Sequence, residues 1–495
     1  MLLSLLVFLA CILATTARWL TRKFGLVTLD QILFHLNMPI DAEQKLINSC
    51  LGNVLGTATV AALLFYLLVA RKYIQAPKWQ NVLYCRRRCL AGLVLALCLV
   101  YACCKVRVDL MWRQYNHFQT ISTYFEDNYI DPRKVMVSFP EHKRNLILIF
   151  MESMDTAHIR SKYYDYFNTD LTPELRKLAY ENINFSNNDD IGGAYQINGT
   201  NFTQAGLTAQ TCGLPLRIPV STPHFRPQNG FLPDAKCLFE FLQEHGYAQT
   251  LINGMPGSFG GLDKFLESHG NIRLMDTKLM RKEGLLNFDD YSEGTKIVKD
   301  SSLIRISKQE IERLASSGKP FGFIMMTIDT HLGKQYFDQK SCTQRFADTE
   351  KHSKYKNIFS CQSQLLGEFV NWIKQQPFYN NTTIIMLGDH QVMYDSAFIE
   401  NMKKGKKILN IFINPARIPA VTKNREFLSF DIYPTILEAL GAQVKGGKLG
   451  LGTSLYGIEP TLAEREKSVK KIDKQLDMRS KFYEKMLYGH VIGEK

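Results

Sequence analysis

The stretch TIIMLGDHQVM, residues 383–393, begins as an apolar run and ends in Asp389 and His390. The run is too short for a stable isolated helix and has the composition of a buried strand. A strand without polar alternation is typical of a parallel sheet that is covered on both faces. The sheet itself does not require a carboxylate and an imidazole at this point, so these two residues indicate a site.

Two further apolar runs end in the same way. NLILIFMESMD, residues 145–155, leads into Glu152, and FGFIMMTIDTH, residues 321–331, leads into Asp329 and His331. In open α/β sheets, ligands bind beyond the carboxyl ends of the strands. We therefore predict that the three strand ends meet at one edge of a sheet and supply their acids and histidines to one site.

Short apolar runs alternate with helical patterns between residues 144 and 456. This alternation predicts an α/β domain whose sheet is covered by helices on both faces. The predicted strands are 146–150, 248–252, 322–328, 383–387 and 408–413, and the predicted helices are 237–245, 303–316, 365–375 and 432–440. The polar tail, residues 457–495, is expected to be a solvated surface helix without an assigned function.

The first 105 residues differ in composition from the rest of the chain. Three apolar runs, residues 1–17, 54–70 and 90–104, approach the length of about 17–25 residues that a membrane span needs. Basic residues between the second and third runs predict a cytoplasmic loop, with everything after the third run on the far side. A signal peptide is the alternative for the first run. We expect a three-helix membrane anchor at 1–105 and a linker at 106–143.

The 495-residue chain carries 60 Lys and Arg against 47 Asp and Glu, a formal net charge of +13. Such a charge suits nucleic acid, a membrane surface or an anionic substrate. The basic residues are spread along the chain, and no zinc-finger spacing or RNA-recognition motif occurs. We therefore expect no nucleic-acid partner.

Four cysteines lie in the large predicted domain, in two pairs that are local in sequence. An even number is typical of disulfides formed in an oxidising compartment. Four cysteines allow three connectivities, of which we favour Cys212–Cys237 and Cys342–Cys361. Four free buried thiols are the alternative.

The acids and histidines at the strand ends could bind a divalent metal. Oxygen and imidazole ligands suit Zn²⁺, Mn²⁺ or Mg²⁺, and three protein ligands leave a position for a reacting group. Thr200 lies just before a helical pattern that starts at Asn201. Helix N-termini favour anions such as phosphate, so Thr200 is either a nucleophile or a simple helix cap. Its position alone favours the cap.

Several motifs, in order along the chain, resemble the sulfatase-like branch of the alkaline phosphatase superfamily. Within that branch they are similar to membrane-anchored phosphoglycerol transferases, those of periplasmic glucans first and the lipoteichoic acid synthases second. The motifs are NLILIFMES, LTPELRKLA, NGTNFTQAGLTAQTCGLPL, LPDAKCLFEFLQEHGY, DKFLESHG, TIDTHLGK, IIMLGDH, DIYPTILEALG and LGLGTSLYG. The resemblance implies a mixed central sheet between helices, preceded by an α-helical transmembrane anchor.

The resemblance also implies a set of site residues. The implied ligands of a divalent metal (Mn, Zn or Mg) are Glu152, Thr200, Asp389 and His390. Thr200 is further implied as the nucleophile, because its spacing to the following Gly-Leu-Pro is similar to that in the synthases, and Thr203 is the alternative. His331 is implied to bind the phosphate or to pass a proton to the leaving group, with Asp329 beside it in substrate binding.

The implied reaction is transfer of phosphoglycerol from phosphatidylglycerol to a periplasmic or surface glycan, through a phosphothreonine intermediate and with release of diacylglycerol. The implied location is a bacterial inner membrane, with the catalytic domain facing the periplasm. Alternatives are a phosphoethanolamine transferase acting on lipid A or another surface glycan, and an inactive membrane sensor or scaffold. The sequence departs from the family at Leu332-Gly333 after Asp-Thr-His, and at residues 257–263, where Ser258 stands and the arginine typical of relatives is absent.

Overall fold

The computed structural model describes residues 2–24, 27–37, 48–65, 80–218, 230–270, 272–292, 295–331, 336–392 and 405–489. The chain divides into two compact units. The first contains mainly residues 1–29 and 42–115, and the second mainly residues 30–41, 116–392 and 400–495.

The amino-terminal segment of the chain is helical. Its helices are α1 (Leu2–Phe24), α2 (Leu29–Asn37), α3 (Thr57–Phe65, after a π-helical turn at Leu51–Gly56), α4 (Gln80–Val106) and α5 (Val108–Phe118). Helix α1 packs against α3 and α4, where Val7, Phe65 and Ala91 form a small buried cluster. Long apolar side chains such as Leu9 and Leu97 stay exposed, as is typical of helices whose outer surface contacts lipid.

Three of these helical segments are long and apolar enough to cross a membrane: Leu5–Arg22, Asn48–Phe65 and Cys89–Val106. The predicted apolar runs are confirmed in this respect. The last part of the second predicted run, residues 66–70, lies outside the described residues.

The second unit is built on a seven-stranded mixed sheet. The strands of the unit are β1 (Val137–Ser138), β2 (Asn145–Met151), β3 (Gly193–Ala194), β4 (Ala248–Asn253), β5 (Arg273–Met275), β6 (Phe321–Met326), β7 (Thr382–Gly388), β8 (Ile408–Ile413), β9 (Gln443–Val444), β10 (Lys448–Leu449) and β11 (Gly452–Thr453). The sheet order is β3-β8-β7-β2-β6-β4-β5, with β8 antiparallel to its two neighbours and the other pairs parallel. Every residue of β2 and β7 is buried, so both faces at the centre of the sheet are covered, and the predicted fold class is confirmed.

Helices and short connecting turns follow the strands. The helices are α6 (Tyr124–Asn128), α7 (Pro173–Glu181), α8 (Thr203–Cys212), α9 (Leu238–Glu244), α10 (Leu262–Ser268), α11 (Thr277–Lys282), α12 (Asp300–Ala315), α13 (Ser353–Lys374), α14 (Ile432–Ala439), α15 (Leu462–Glu466), α16 (Val469–Leu476) and α17 (Lys481–Tyr488). Helix α13 begins 12 residues before the prediction, which placed its start at Leu365. Its first half buries polar residues such as Asn357, Ser360 and Gln362, which hide the apolar periodicity.

Both predicted disulfides are present. Cys212 is bonded to Cys237, and Cys342 is bonded to Cys361. The bridges are 25 and 19 residues apart in sequence and tie the end of α8 and the middle of α13 to neighbouring segments. Closing loops of this length stabilises the folded state by about 3 kcal/mol each.

The carboxyl-terminal helices are not a solvated tail, and that prediction is wrong. The Tyr483 hydroxyl donates to the Pro215 carbonyl at 2.6 Å and accepts from the Arg217 N–H at 2.9 Å. Asp473 accepts from the Asn198 N–H and from the Arg217 guanidinium, both at 3.0 Å. The apolar residues of α16, Val469, Ile472 and Leu476, recur at helical spacing, so its buried face is present in the sequence, but the many lysines around them favoured the solvated interpretation.

Replacement of Tyr483 by Phe should lower the free energy of unfolding by about 1–3 kcal/mol, because it leaves a buried carbonyl and a buried N–H without a partner. Denaturation of the full chain in detergent measures this change. Tyr180→Phe is the control, since that side chain is 53% exposed and its hydroxyl makes one long bond to Asp190. Equal stability of the two variants would contradict the structural role of Tyr483.

Candidate metal centre and nucleophile

Strand register brings Glu152 and Asp389 together. Strands β2 and β7 are parallel, and Met151 of β2 pairs with Gly388 of β7. The residues that follow, Glu152 and Asp389, therefore leave the sheet side by side. The Ser153 N–H donates to Asp389 Oδ1 at 2.8 Å, and the Ser153 hydroxyl donates to Glu152 Oε1 at 2.7 Å.

Glu152, Asp389 and His390 offer ligand atoms that all lie within 4.8 Å of one another, and all three residues are buried. His390 Nε2 is 3.5 Å from Glu152 Oε1 and 3.4 Å from Asp389 Oδ2. His390 Nδ1 is 2.8 Å from the carbonyl oxygen of Gln391. In the neutral ring Nδ1 donates there, which leaves Nε2 as the ligand atom. Two carboxylates and an imidazole in a buried cluster fit a divalent cation.

The electrostatics of the cluster favour a cation. Burial and the charge of Glu152 raise the pKa of Asp389 to about 7. Burial opposes protonation of His390, but the charges of Asp389 and Glu152 outweigh it and raise the pKa of the ring to about 9. Burial also opposes ionisation of Glu152, yet His331 and His390 lower its pKa to about 2. Without a cation the cluster would therefore hold a proton at neutral pH, and a bound cation would neutralise the carboxylates instead.

Another cluster among the described residues combines three potential ligands: Cys237, Glu240 and His269. The sulfur of Cys237 is bonded to Cys212 and does not bind a metal as a thiolate. The donor set at the ends of β2 and β7 is therefore the candidate centre.

Thr203 is the threonine that reaches this cluster. Its hydroxyl lies 3.3 Å from Glu152 Oε2 and 3.5 Å from His390 Nε2, and it is the first residue of α8. Helix α8 approaches the end of β7 closely because residue 206 is glycine: a Cβ there would lie 2.0 Å from the Asp389 carbonyl oxygen. The Gln210 side chain donates to the Gly388 carbonyl at 3.0 Å and holds the helix in place.

Thr200, the predicted metal ligand and nucleophile, directs its hydroxyl to its own turn, whereas the hydroxyl of Thr203 reaches the cluster. The Thr200 hydroxyl donates to the Ile197 carbonyl at 2.9 Å and accepts from the Ile197 N–H at 3.1 Å. The residue is fully buried in this turn. The helix begins three residues later, with Phe202 as its N-cap, so the position expected for Thr200 belongs to Thr203.

His331 and Asp329 lie beyond β6. His331 is close enough to Glu152 for its charge to lower the pKa of that carboxylate. Asp329 is buried, and its Oδ2 accepts from the Asp300 N–H at 2.9 Å. Burial and the charge of Asp300 raise the pKa of Asp329 well above its usual range. The roles of both residues in substrate binding stay predictions.

Sequence reasoning missed Ser153 and kept Thr203 only as an alternative. Ser153 has a left-handed backbone with φ 54°, which turns both its N–H and its hydroxyl toward the carboxylates, and no sequence signal indicates this. The start of α8 was the signal for Thr203, because a residue in the first turn of a helix is better placed for an anion than one in the preceding turn. Leu332 and Gly333 lie outside the described residues.

Gly206→Ala should weaken binding of Mn²⁺ to the full chain, because the new methyl group forces α8 away from Asp389 by more than an ångström. Displacements of this size cost up to about a hundredfold in site function. Isothermal titration of the detergent-solubilised protein measures the affinity. Gly457→Ala is the control, since a Cβ at that position meets nothing closer than 3.9 Å. Wild-type affinity in Gly206→Ala would contradict the close contact.

Metal binding should release protons and tighten as pH rises from 6 to about 9. The raised pKa values of His390 and Asp389 mean that these two side chains are protonated at the lower end of this range, and a cation must displace those protons. Titration calorimetry in two buffers of different ionisation enthalpy gives the number released. A binding enthalpy that is the same in both buffers would contradict the prediction.

Comparison with known proteins identifies the family of this chain. The model of the family described as Sulfatase matches residues 144–442. Phosphoglycerol transferase I of Escherichia fergusonii is 28% identical over 326 residues, which cover 66% of this chain and 40% of the relative. The protein of the same name from Escherichia coli O127:H6 is 28% identical over 331 residues, covering 67% and 41%. This chain therefore spans about two fifths of the length of these curated relatives.

A solved structure shares the fold. It is the integral membrane protein lipooligosaccharide phosphoethanolamine transferase A from Neisseria meningitidis, with a TM-score of 0.53 and 12% sequence identity over 89% of this chain and 84% of that chain. At this identity the match concerns the fold alone. The family model covers more than half of the sequence and all of the candidate site. The chain belongs to the sulfatase family.

Proposed function

We propose that this chain transfers phosphoglycerol from phosphatidylglycerol to a glycan, through a covalent intermediate on Thr203. The observation that carries the proposal is the Thr203 hydroxyl, 3.3 Å from Glu152 and 3.5 Å from His390 at the carboxyl end of the central strands. The choice of donor is supported by relatives named phosphoglycerol transferase I. The match to the family described as Sulfatase concerns the fold of this chain, and the proposed transferred group follows from the named relatives.

Glu152, Asp389 and His390 are the residues that would hold a divalent cation. When bound, it would supply positive charge beside the hydroxyl of Thr203 and the phosphate of the donor. The donor set of two carboxylates and one imidazole accepts Mn²⁺, Zn²⁺ and Mg²⁺.

The first half-reaction joins the donor to the enzyme. Thr203 Oγ1 forms a bond to phosphorus, and the bond between phosphorus and the diacylglycerol oxygen breaks. The hydroxyl proton of Thr203 passes to water, and the diacylglycerol oxygen takes up a proton, which we assign to His331. The N–H groups in the first turn of α8 stabilise the phosphate oxygens next to Thr203.

The second half-reaction frees the enzyme. A hydroxyl of the glycan forms the new bond to phosphorus, the bond to Thr203 Oγ1 breaks, and the threonine hydroxyl regains a proton while the attacking hydroxyl loses one. We assign the uptake of that proton to His331 as well, because the second step reverses the roles of the first. Two steps through a covalent intermediate give ping-pong kinetics.

We place the protein in a bacterial inner membrane, with the catalytic unit on the periplasmic side. Three helices long and apolar enough to span a membrane support the first part, and two disulfides in the catalytic unit support an oxidising compartment. An anchor in the membrane that contains the lipid donor raises the effective concentration of that donor.

The headgroup of the lipid donor is a separate question from the chemistry at Thr203. The family resemblance implies an arginine near residues 257–263, whereas the nearest basic residue here, Lys264, is paired with Glu267 at 2.7 Å. Glycerol must therefore be bound by other groups. Phosphatidylethanolamine is the second donor to test, because the chemistry at Thr203 would be the same.

Incubation of the full chain in detergent with phosphatidylglycerol should add one phosphoglycerol unit to Thr203. Intact mass and peptide mapping detect the adduct, and chromatography detects diacylglycerol. Thr203→Ala should abolish both, because it removes the hydroxyl that would form the phosphoester. Turnover at the wild-type rate in Thr203→Ala would refute the proposed nucleophile.

Thr200→Val is the matched control. It removes a threonine hydroxyl three residues away that bonds only within its own turn, so the adduct on Thr203 should still form. An adduct with phosphatidylethanolamine and none with phosphatidylglycerol would change the donor and keep the mechanism. No adduct and no diacyl product with either lipid would indicate an inactive sensor or scaffold.

A further inference from the structure

Gln362 lies in the middle of α13 and is almost completely buried, with 2% of its surface exposed. Its side-chain amide donates two hydrogen bonds, to Thr327 Oγ1 at 2.9 Å and to Thr330 Oγ1 at 3.1 Å. Both threonines belong to the segment that follows β6, and both are buried. The amide of Gln362 therefore joins α13 to the end of a central strand.

The same two threonines bind the backbone of Glu152. The Glu152 N–H donates to Thr327 Oγ1 at 2.9 Å, and the Thr330 hydroxyl donates to the Glu152 carbonyl at 2.7 Å. Both polar groups of this peptide backbone are thus fixed by hydroxyls that Gln362 contacts. Because the amide occupies an acceptor position on Thr330, the hydroxyl hydrogen of Thr330 is directed to the Glu152 carbonyl.

We propose that Gln362 is a positioning residue that holds the Glu152 carboxylate in place for the divalent cation. The inference rests on the proposed function, in which Glu152 is a ligand. Partners that orient a ligand raise metal affinity because the site then loses less conformational freedom on binding. Gln362 acts two hydrogen bonds away from the backbone of Glu152 and touches no reacting atom.

The carbonyl oxygen of Gln362 argues against a role in packing alone. It is buried and meets no hydrogen-bond donor among the described residues. A buried polar atom without a partner destabilises the fold, so an apolar side chain would serve packing better. The feature of Gln362 that an apolar side chain would lack is its pair of N–H donors.

The position of the amide is itself held by a covalent bond. Cys361 precedes Gln362 in α13 and is bonded to Cys342. The bridge restrains the rotation of α13 about its axis and its position along that axis. The side-chain amide of Gln362 therefore stays within hydrogen-bond distance of Thr327 and Thr330.

The test is the affinity of the full chain in detergent for Mn²⁺, measured by titration calorimetry. Gln362→Met keeps the length of the side chain and the helix propensity and removes both donors. It should weaken Mn²⁺ binding by about 10- to 100-fold. Gln364→Met is the matched control on the same helix: Gln364 bonds Thr343 and Glu368 and none of the groups that bind Glu152. Its affinity should equal that of the wild type.

Variants of Thr330 test the proposal independently, in case Gln362→Met folds poorly. Thr330→Val should weaken Mn²⁺ binding as Gln362→Met does, Thr330→Ser should not, and the double variant Gln362→Met/Thr330→Val should lose less binding free energy than the sum of the two single losses, because the two side chains share one bond. Melting in EDTA reports stability without metal, and similar midpoints for the Gln362 and Gln364 variants would exclude general unfolding as the cause.

Glu152→Ala separates the two proposals. If this variant binds Mn²⁺ as the wild type does, the metal centre is wrong, and the proposed function falls with it. If Glu152→Ala loses Mn²⁺ while Gln362→Met and Thr330→Val keep wild-type affinity, the centre stands and the positioning role is overturned.

Discussion

The candidate site depends on the parallel pairing of β2 with β7, in which Met151 lies opposite Gly388. This register brings Glu152 next to Asp389 as soon as the two strands end. Side chains alternate between the faces of a sheet, so a shift of one residue would send one carboxylate to the other face. Every residue of β2 and β7 is buried, and the apolar packing of the two strands holds this register. The hydrophobic pattern of the strands thus determines the geometry of the acids that follow them.

A cluster of two carboxylates and an imidazole in a buried place works against the stability of the fold. Burial raises the pKa of Asp389, and the charge of Glu152 raises it further. The fold compensates with backbone donors, such as the Ser153 N–H, and with the close approach of α8 at Gly206. Residues that conflict with local stability in this way are typical of functional sites.

Much of the fold could be predicted from the sequence, because its strands are uninterrupted apolar runs. The acids and the histidine that follow β2 and β7 could be predicted for the same reason, since they stand directly after the strands. Thr203 could not be separated from Thr200, because the choice depends on where α8 begins and how the preceding turn binds its own hydroxyl. The start of α13 and the buried face of α16 and α17 were missed, because polar and charged residues dominate those segments.

The two disulfides have a consequence for the preparation of the protein. Cys212 is the last residue of the helix that begins with Thr203, and Cys361 is the neighbour of Gln362 on α13. Neither bridge lies within a strand of the sheet, whereas each ties down one of the two helices that support the site. Thiol oxidation therefore stabilises these helices in place and leaves the strands to their own apolar packing. Purification under reducing conditions would remove the covalent ties of both helices, so the protein should be produced and handled without reductant.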